Sequence, residues 1–350
     1  MNDPGKPSWE KILSQSITSP DALPASLDVQ RRPLQDVTDR YPMRINPYYL
    51  SLIEDRHDPI WIQAVPDAKE LSFSPDCPDP CSEGEQSPMP GLIHRYPDRV
   101  VLKTGSQCGV YCRHCMRKRA VGRSAALTVD DLPGALAYIA RRTSIREVIL
   151  SGGDPLLHSD ASLAELLQRL RAIAHVEILR IHTRVLCTLP QRITPALADV
   201  LSRFHPLYLN TQFNHPREIT PAAARACDLL TRSGIPLGCQ TVLLKGVNDD
   251  PETMKDLLRS LLRIRVNPYY IHHPDPVAGT GHLRVPISTG LRIMQSLRGF
   301  TSGMAVPQYM IDLPGGGGKV PLLPEYVKKI EKNRMVVCSY DGKRYEYPLE

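Results

Sequence analysis

The chain lacks an apolar run long enough to span a bilayer, and no charged-then-apolar leader opens it, so neither a membrane helix nor a secretory signal is expected. It has no low-complexity tail. Aromatic residues make up only 6 % of its 350 residues, whereas prolines number 33, which calls for many turns between short elements. Strong charge of one sign is also missing: a formal +6 is mild for this length and reads as a solvated basic surface, which leaves a nucleic-acid partner open without implying one. The nine cysteines are an odd count without a secretory context, which argues against a disulfide framework and for a reducing, cytoplasmic setting.

Three of those cysteines carry the most information. Cys108, Cys112 and Cys115 lie in Gln107-Cys-Gly-Val-Tyr-Cys-Arg-His-Cys-Met-Arg117, on a loop that leaves the strand-like run Arg99–Thr104. Thiolates three and four residues apart can converge on one inorganic centre, yet three are one short of a closed zinc or iron–sulfur site. His114 stands between two of them, poorly placed to be the fourth ligand of a zinc knuckle. The spacing resembles that of radical S-adenosylmethionine (SAM) enzymes, in which a [4Fe-4S] cluster keeps one iron open for SAM.

The middle of the chain reads as repeated strand–helix units. Apolar, β-branched runs recur at residues 99–104, 147–150, 177–182, 207–213, 237–244, 267–272 and 305–313. Helical patterns fall between them at 128–142, 162–174, 194–204, 220–233, 251–265 and 287–297. Thr194-Pro and Thr220-Pro combine a capping hydroxyl with proline at the first helical position. Units of roughly 30 residues predict parallel strands with right-handed crossovers. The expected fold class is α/β, a partial (β/α)6 barrel of the radical SAM type with catalytic groups on the loops after its strands. Residues 1–90 are expected to form a helical cap, 91–300 the barrel, and 301–350 a segment ending in a hairpin around Asp341-Gly342.

A second cofactor motif is Asp312-Leu-Pro-Gly-Gly-Gly-Gly-Lys319. Glycine runs are usually linkers, but this one leaves a strand-like run and ends on a lone lysine. An amine on a mobile glycine arm suits a Schiff base with pyridoxal 5′-phosphate (PLP), since it must swing aside for substrate.

Together these blocks resemble the lysine 2,3-aminomutase family, whose members pair a radical SAM cluster with PLP. The resemblance runs from about Pro47 to Pro348. It rests on the two motifs and on His94-Arg-Tyr-Pro-Asp-Arg99, Ser151-Gly-Gly-Asp-Pro155, Arg180-Ile-His-Thr-Arg184, Asn214-His-Pro and Gly279-Thr-Gly-His282. It implies an isomerase that moves the amino group of L-lysine from C2 to C3. By the same resemblance Cys108, Cys112 and Cys115 ligate the cluster and Lys319 carries PLP. Arg95 and Arg99 stand beside the PLP phosphate, Tyr96 packs near its ring, and Gln240 lies near the cofactors. Ser151, Gly152, Gly153 and Asp154 form the turn at the methionine end of SAM. Gln212 replaces an expected histidine near SAM.

For substrate, the resemblance implies that Arg117 receives the carboxylate and that Asp275 and Asp312 bind the distal ammonium. Without it, Arg117 would read as part of the exposed run Arg117-Lys-Arg119, and Asp275 as a turn acid. Two acids at the far end of a pocket favour a cationic side chain and repel glutamate. Arginine is the rival cation. A radical SAM enzyme modifying RNA is the rival class, suggested by Arg113, Arg117, Lys118, Arg119 and Arg123. The implied partners are an electron donor such as flavodoxin or ferredoxin and further copies of the chain, with no nucleic acid or membrane. The family's tail cysteines for an intersubunit zinc are not matched: Cys338 is alone there and Asp250 stands where a partner cysteine is expected. Cys77, Cys81, Cys187, Cys227 and Cys239 read as ordinary thiols.

Overall fold

A computed structural model describes residues 7–27, 29–72, 77–123 and 132–349. Nine strands form one sheet in sequence order: β1 (Leu92–Tyr96), β2 (Arg99–Lys103), β3 (Glu147–Ser151), β4 (Ile178–His182), β5 (Leu207–Thr211), β6 (Leu237–Val242), β7 (Asn267–His272), β8 (Gln308–Leu313) and β9 (Gly318–Leu322). Strands β2 to β8 are parallel, and β1 and β9 pair antiparallel at the two edges. Helices Leu132–Ala140, Asp160–Arg171, Pro195–Ser202, Pro221–Arg232, Pro251–Arg263 and Ile287–Leu297 make the six crossovers. This is the partial barrel expected from the repeated units. The start of the first expected helix, 124–131, lies outside the described residues.

Local chemistry accounts for the helix starts. Ser159, Thr194, Thr220 and Asp250 each accept a backbone N–H of the first turn, and proline follows directly at the last three. Asp250 therefore serves the fold: its Oδ1 accepts from the N–H groups of Glu252 and Thr253, both at 3.0 Å.

The strands alternate in a way that creates the site. Along β4, Leu179 and Ile181 are buried beneath the helices, whereas Arg180 and His182 face the barrel interior. Along β6, Leu237, Cys239 and Thr241 are buried and Gln240 and Val242 line the interior. One apolar cluster fills the layer between sheet and helices, with Cys187, Cys227 and Cys239 inside it.

Residues before β1 form short helices, including Trp9–Ser14, Arg31–Arg40 and Pro59–Ala64, with a core of their own around Met43, Ile45, Tyr49 and Trp61. Val110 of the cysteine loop belongs to that core. At the other end a separate antiparallel sheet of β10 (Val327–Ile330), β11 (Arg334–Cys338) and β12 (Arg344–Pro348) includes the expected hairpin. Among the described residues no helix is long and apolar enough to cross a membrane.

Strands β1, β9 and β10 were not foreseen. Strand β1 carries an irregular register between Ile93 and Tyr96, and β9 contains Pro321, which an edge strand tolerates because one side of its backbone goes unpaired.

Candidate active site

The curled sheet encloses a cavity of about 700 Å³. Its wall includes most of the residues singled out from sequence: Arg95, Tyr96, Arg99, the three cysteines, Arg117, residues 151–154, Gln212, Gln240, Asp275, Asp312 and Lys319. The lining draws on every strand from β1 to β9 or the loop that follows it, so only the fold brings these groups together.

The cysteine loop is clamped from two sides. From the N-terminal region, Ile45 bridges Val110, Arg113 N–H donates to Gln63 O at 2.9 Å, and Asn46 Nδ2 donates to Gly109 O at 3.0 Å. From the barrel, Gly153 N–H donates to Gly105 O at 2.6 Å and Asp154 N–H to Gln107 O at 2.7 Å. This contact explains the two glycines. Gly152 sits at φ 116°, and a Cβ on Gly153 would lie 2.3 Å from Gln107 O. The Asp154 carboxylate is spent inside the protein, accepting from Thr183 Oγ1 at 2.6 Å and Arg184 N–H at 2.8 Å. Asp154 thus shapes the turn through its side chain.

The three thiols line one cavity. Burial, Asp154 and the other two cysteines push Cys108 up, and burial followed by Cys112 pushes Cys115 up to about 11. Arg184 Nη1 lies 2.8 Å from Cys112 Sγ, and its Nη2 reaches Glu218, Gln63 and Tyr49. Among the described residues no three potential ligands close on a single ion. A [4Fe-4S] cluster asks for something else, one thiolate on each of three irons, and a half-buried trio of soft donors lining one cavity and braced by a guanidinium fits it. None of the nine cysteines is in a disulfide.

Arg117 is not part of an exposed run. Its Nε and Nη2 donate to the Glu83 carboxylate at 2.8–3.1 Å, and its Nη1 donates to Ser151 Oγ at 3.0 Å. Three of its five N–H groups are thereby used and two remain. Burial opposes the Glu83 charge, but Arg117, with Lys103 and Arg119, holds that carboxyl below the usual range. The neighbouring cations are neutralised as well: Arg113 and Lys118 both pair with buried Glu70, and Arg119 with Asp79 and Glu83. These residues therefore do not form the outward basic patch that an RNA reading would use.

The same cavity holds Lys319, on β9. Its N–H donates to Tyr96 OH at 3.1 Å, and its Nζ hydrogen-bonds Asp312 Oδ2. Asp312 also accepts from Arg95 Nη1 at 3.4 Å, while Arg95 Nε and Nη2 go to Gln86 Oε1 and Cys81 O. The guanidinium of Arg95 is thus committed to this corner. Arg99 lies over the Tyr96 ring at 3.9 Å and pairs with Asp98 at 2.7 Å. The Asp275 carboxyl group makes no hydrogen bond or ion pair among the described residues, and burial followed by the Asp312 charge raises it to about 6. A lysine amine, a stacked tyrosine and a guanidinium on one wall fit PLP by donor chemistry.

The comparisons agree with this arrangement. A family model described as Radical SAM superfamily matches residues 102–258, and one described as Lysine-2,3-aminomutase matches 294–349. The L-lysine 2,3-aminomutase of Fusobacterium nucleatum is 46 % identical over 341 residues, 95 % of this chain and 80 % of that protein. The chain belongs to the lysine 2,3-aminomutase family. The L-lysine 2,3-aminomutase of Clostridium subterminale is 48 % identical over 86 % of this chain and 73 % of its own length. The family also reaches a glutamate 2,3-aminomutase from Clostridioides difficile, 40 % identical over 96 % of this chain and 80 % of that protein. Membership makes the chain a radical SAM isomerase whose cofactors are a [4Fe-4S] cluster, SAM and PLP.

Among the cavity residues given no site role by the sequence reading are Glu83, Arg180, His182 and His272, although Arg180 and His182 lie in one of its motifs. Glu83, which holds Arg117, sits in an irregular segment with no periodic signal. Arg180, His182 and His272 stand on strands, where alternation places them inward with Gln240, so that signal was available. His182 is driven down to about 3 by burial and Arg180, and His272 to about 3 by burial and Lys319, so both imidazoles are neutral. His182 Nε2 is buried without a hydrogen-bond partner among the described residues.

Proposed function

We propose that this chain converts L-lysine to β-lysine, with Lys319 as the PLP-bearing residue and Asp275 and Asp312 as the reader of the distal ammonium. The observation that carries this is the placement of both acids beside Lys319 in the cavity that Arg117 and Ser151 also line. When bound, the cluster supplies one electron, SAM a radical that accepts hydrogen, and PLP a carbonyl handle for the migrating nitrogen.

The chain's own residues do the positioning. Arg117, held rigid by Glu83, offers its two remaining N–H groups to the substrate carboxylate. Asp275 and Asp312 fix the other end, so the carbon that loses hydrogen is held at a set depth in the cavity. Tyr96 and Arg99 flank the PLP site, with Arg99 as the phosphate reader; Arg95 serves Asp312 instead. Gln212, Gln240 and residues 151–154 line the part of the cavity where SAM would sit. An external one-electron donor belongs to the same reading. So does a homo-oligomer, which the exposed Ile330, Tyr345 and Tyr347 of the C-terminal sheet support.

The test is anaerobic incubation of cluster-reconstituted protein with SAM, PLP, reductant and L-lysine carrying ¹⁵N at C2. The expected product is β-lysine with the label on C3. SAM cleavage without any β-amino acid would refute the reading.

Asp275 adds a pH signature. Its folded pKa, about 6, lies above its ordinary value. Its protonated form therefore stabilises the fold below about pH 4, and that contribution is lost as pH rises through 6. Above 6 the ionised Asp275 faces the Asp312 charge, with Lys319 and Arg95 opposing and Glu83 adding negative charge. A bound ammonium relieves that cost. L-Lysine should therefore raise the melting temperature more at pH 7.5 than at pH 5, and its KM should be several-fold higher at the lower pH. A lysine-induced shift equal at both pH values would show that Asp275 does not meet the cation.

A further inference from the structure

Asp312 and Lys319 are directly opposed across the antiparallel pair of β8 and β9, so their side chains emerge on one face as cross-strand neighbours. The ammonium of Lys319 pairs with Asp312, whose side chain is 6 % exposed, and the Arg95 guanidinium meets the other oxygen. The corner thus holds two carboxylates, Asp275 and Asp312, and two internal cations. It is electrically balanced, and the oxygen facing Lys319 is taken. A substrate's distal ammonium would enter a neutral site and compete with a tethered cation of the same chemistry. Moving the Lys319 nitrogen onto PLP leaves one uncompensated negative charge, the complement of one ammonium or guanidinium.

From this we propose that Lys319 plugs the substrate-cation site while PLP is absent, and that PLP loading opens it. The inference rests on the reading of Lys319 as the PLP lysine and of the acid pair as the cation reader. It adds that the two sites are coupled: PLP strengthens cation binding and, by linkage, a cation strengthens PLP binding by the same factor. Asp275, whose carboxylate has no hydrogen-bond or ion-pair partner among the described residues, makes the first contact, and Asp312 joins only after Lys319 departs.

The probe is n-butylguanidinium, a monocation that forms no imine with PLP. Its affinity is measured by anaerobic calorimetry on cluster-reconstituted protein, with and without PLP, and on Lys319→Ala without PLP. Expected are about tenfold or tighter binding on adding PLP and a matching gain in Lys319→Ala, lost again in Lys319→Ala/Asp312→Asn. In wild type the probe should also raise PLP affinity by the same factor, followed by absorbance of the lysine–PLP linkage. That arm needs no variant to fold. Affinities within about twofold across all states, still weakened by Asp312→Asn, overturn the plug and leave the cation pocket standing. Affinities indifferent to Asp275→Asn and Asp312→Asn alike overturn the pocket as well.

Discussion

Lys319→Ala should remove the absorbance of the lysine–PLP linkage and lower lysine turnover by roughly a thousandfold or more, while the cluster spectrum stays intact. The separation is structural. Lys319 lies on β9 and contacts Tyr96 and Asp312, whereas the thiols are held by the N-terminal core, the 151–154 turn and Arg184. The backbone hydrogen bond from Lys319 to Tyr96 OH does not depend on the side chain, so the strand keeps its place. Turnover at the wild-type rate would remove Lys319 from the reaction. Simultaneous loss of cluster and PLP signals would point to unfolding and would be checked by circular dichroism.

Cys112→Ala should have the complementary effect. Its thiol is one of the three proposed cluster anchors and also the acceptor for Arg184 Nη1. With alanine there, reconstituted protein should lack the [4Fe-4S] absorbance and cleave SAM at least about a thousandfold more slowly, yet still form the Lys319–PLP linkage. The loop keeps its shape because the bridge between Ile45 and Val110 and the Gln63–Arg113 hydrogen bond are backbone contacts. A full cluster signal in this variant would contradict the assignment.

The sequence made the barrel legible because its elements follow strong local rules. The seven parallel strands are β-branched runs at regular intervals, and threonine–proline pairs open two of the helices. The cysteine triplet and the glycine–lysine run were legible because their chemistry needs those residues at those spacings. Harder to read were features whose meaning comes from contacts far apart in sequence. Arg117 looked like one of an exposed basic run, since its partner Glu83 lies 34 residues earlier in an aperiodic segment. Arg95 was placed beside the PLP phosphate by resemblance, and nothing local announced the contacts its three nitrogens make with Gln86, Cys81 and Asp312, the last 217 residues away. The pairing of Asp312 with Lys319 depends on the register of β9, a strand hidden by its glycine and proline.

The central claim is that the Asp275–Asp312 corner selects a cationic amino acid in a family that also includes a glutamate enzyme. The most direct test is to measure kcat/KM for β-amino acid formation from lysine, arginine, glutamate and alanine under identical anaerobic conditions. Lysine should exceed glutamate by about a thousandfold or more, because a buried like-charge encounter costs several kcal/mol. Glutamate turned over as well as lysine would contradict the account.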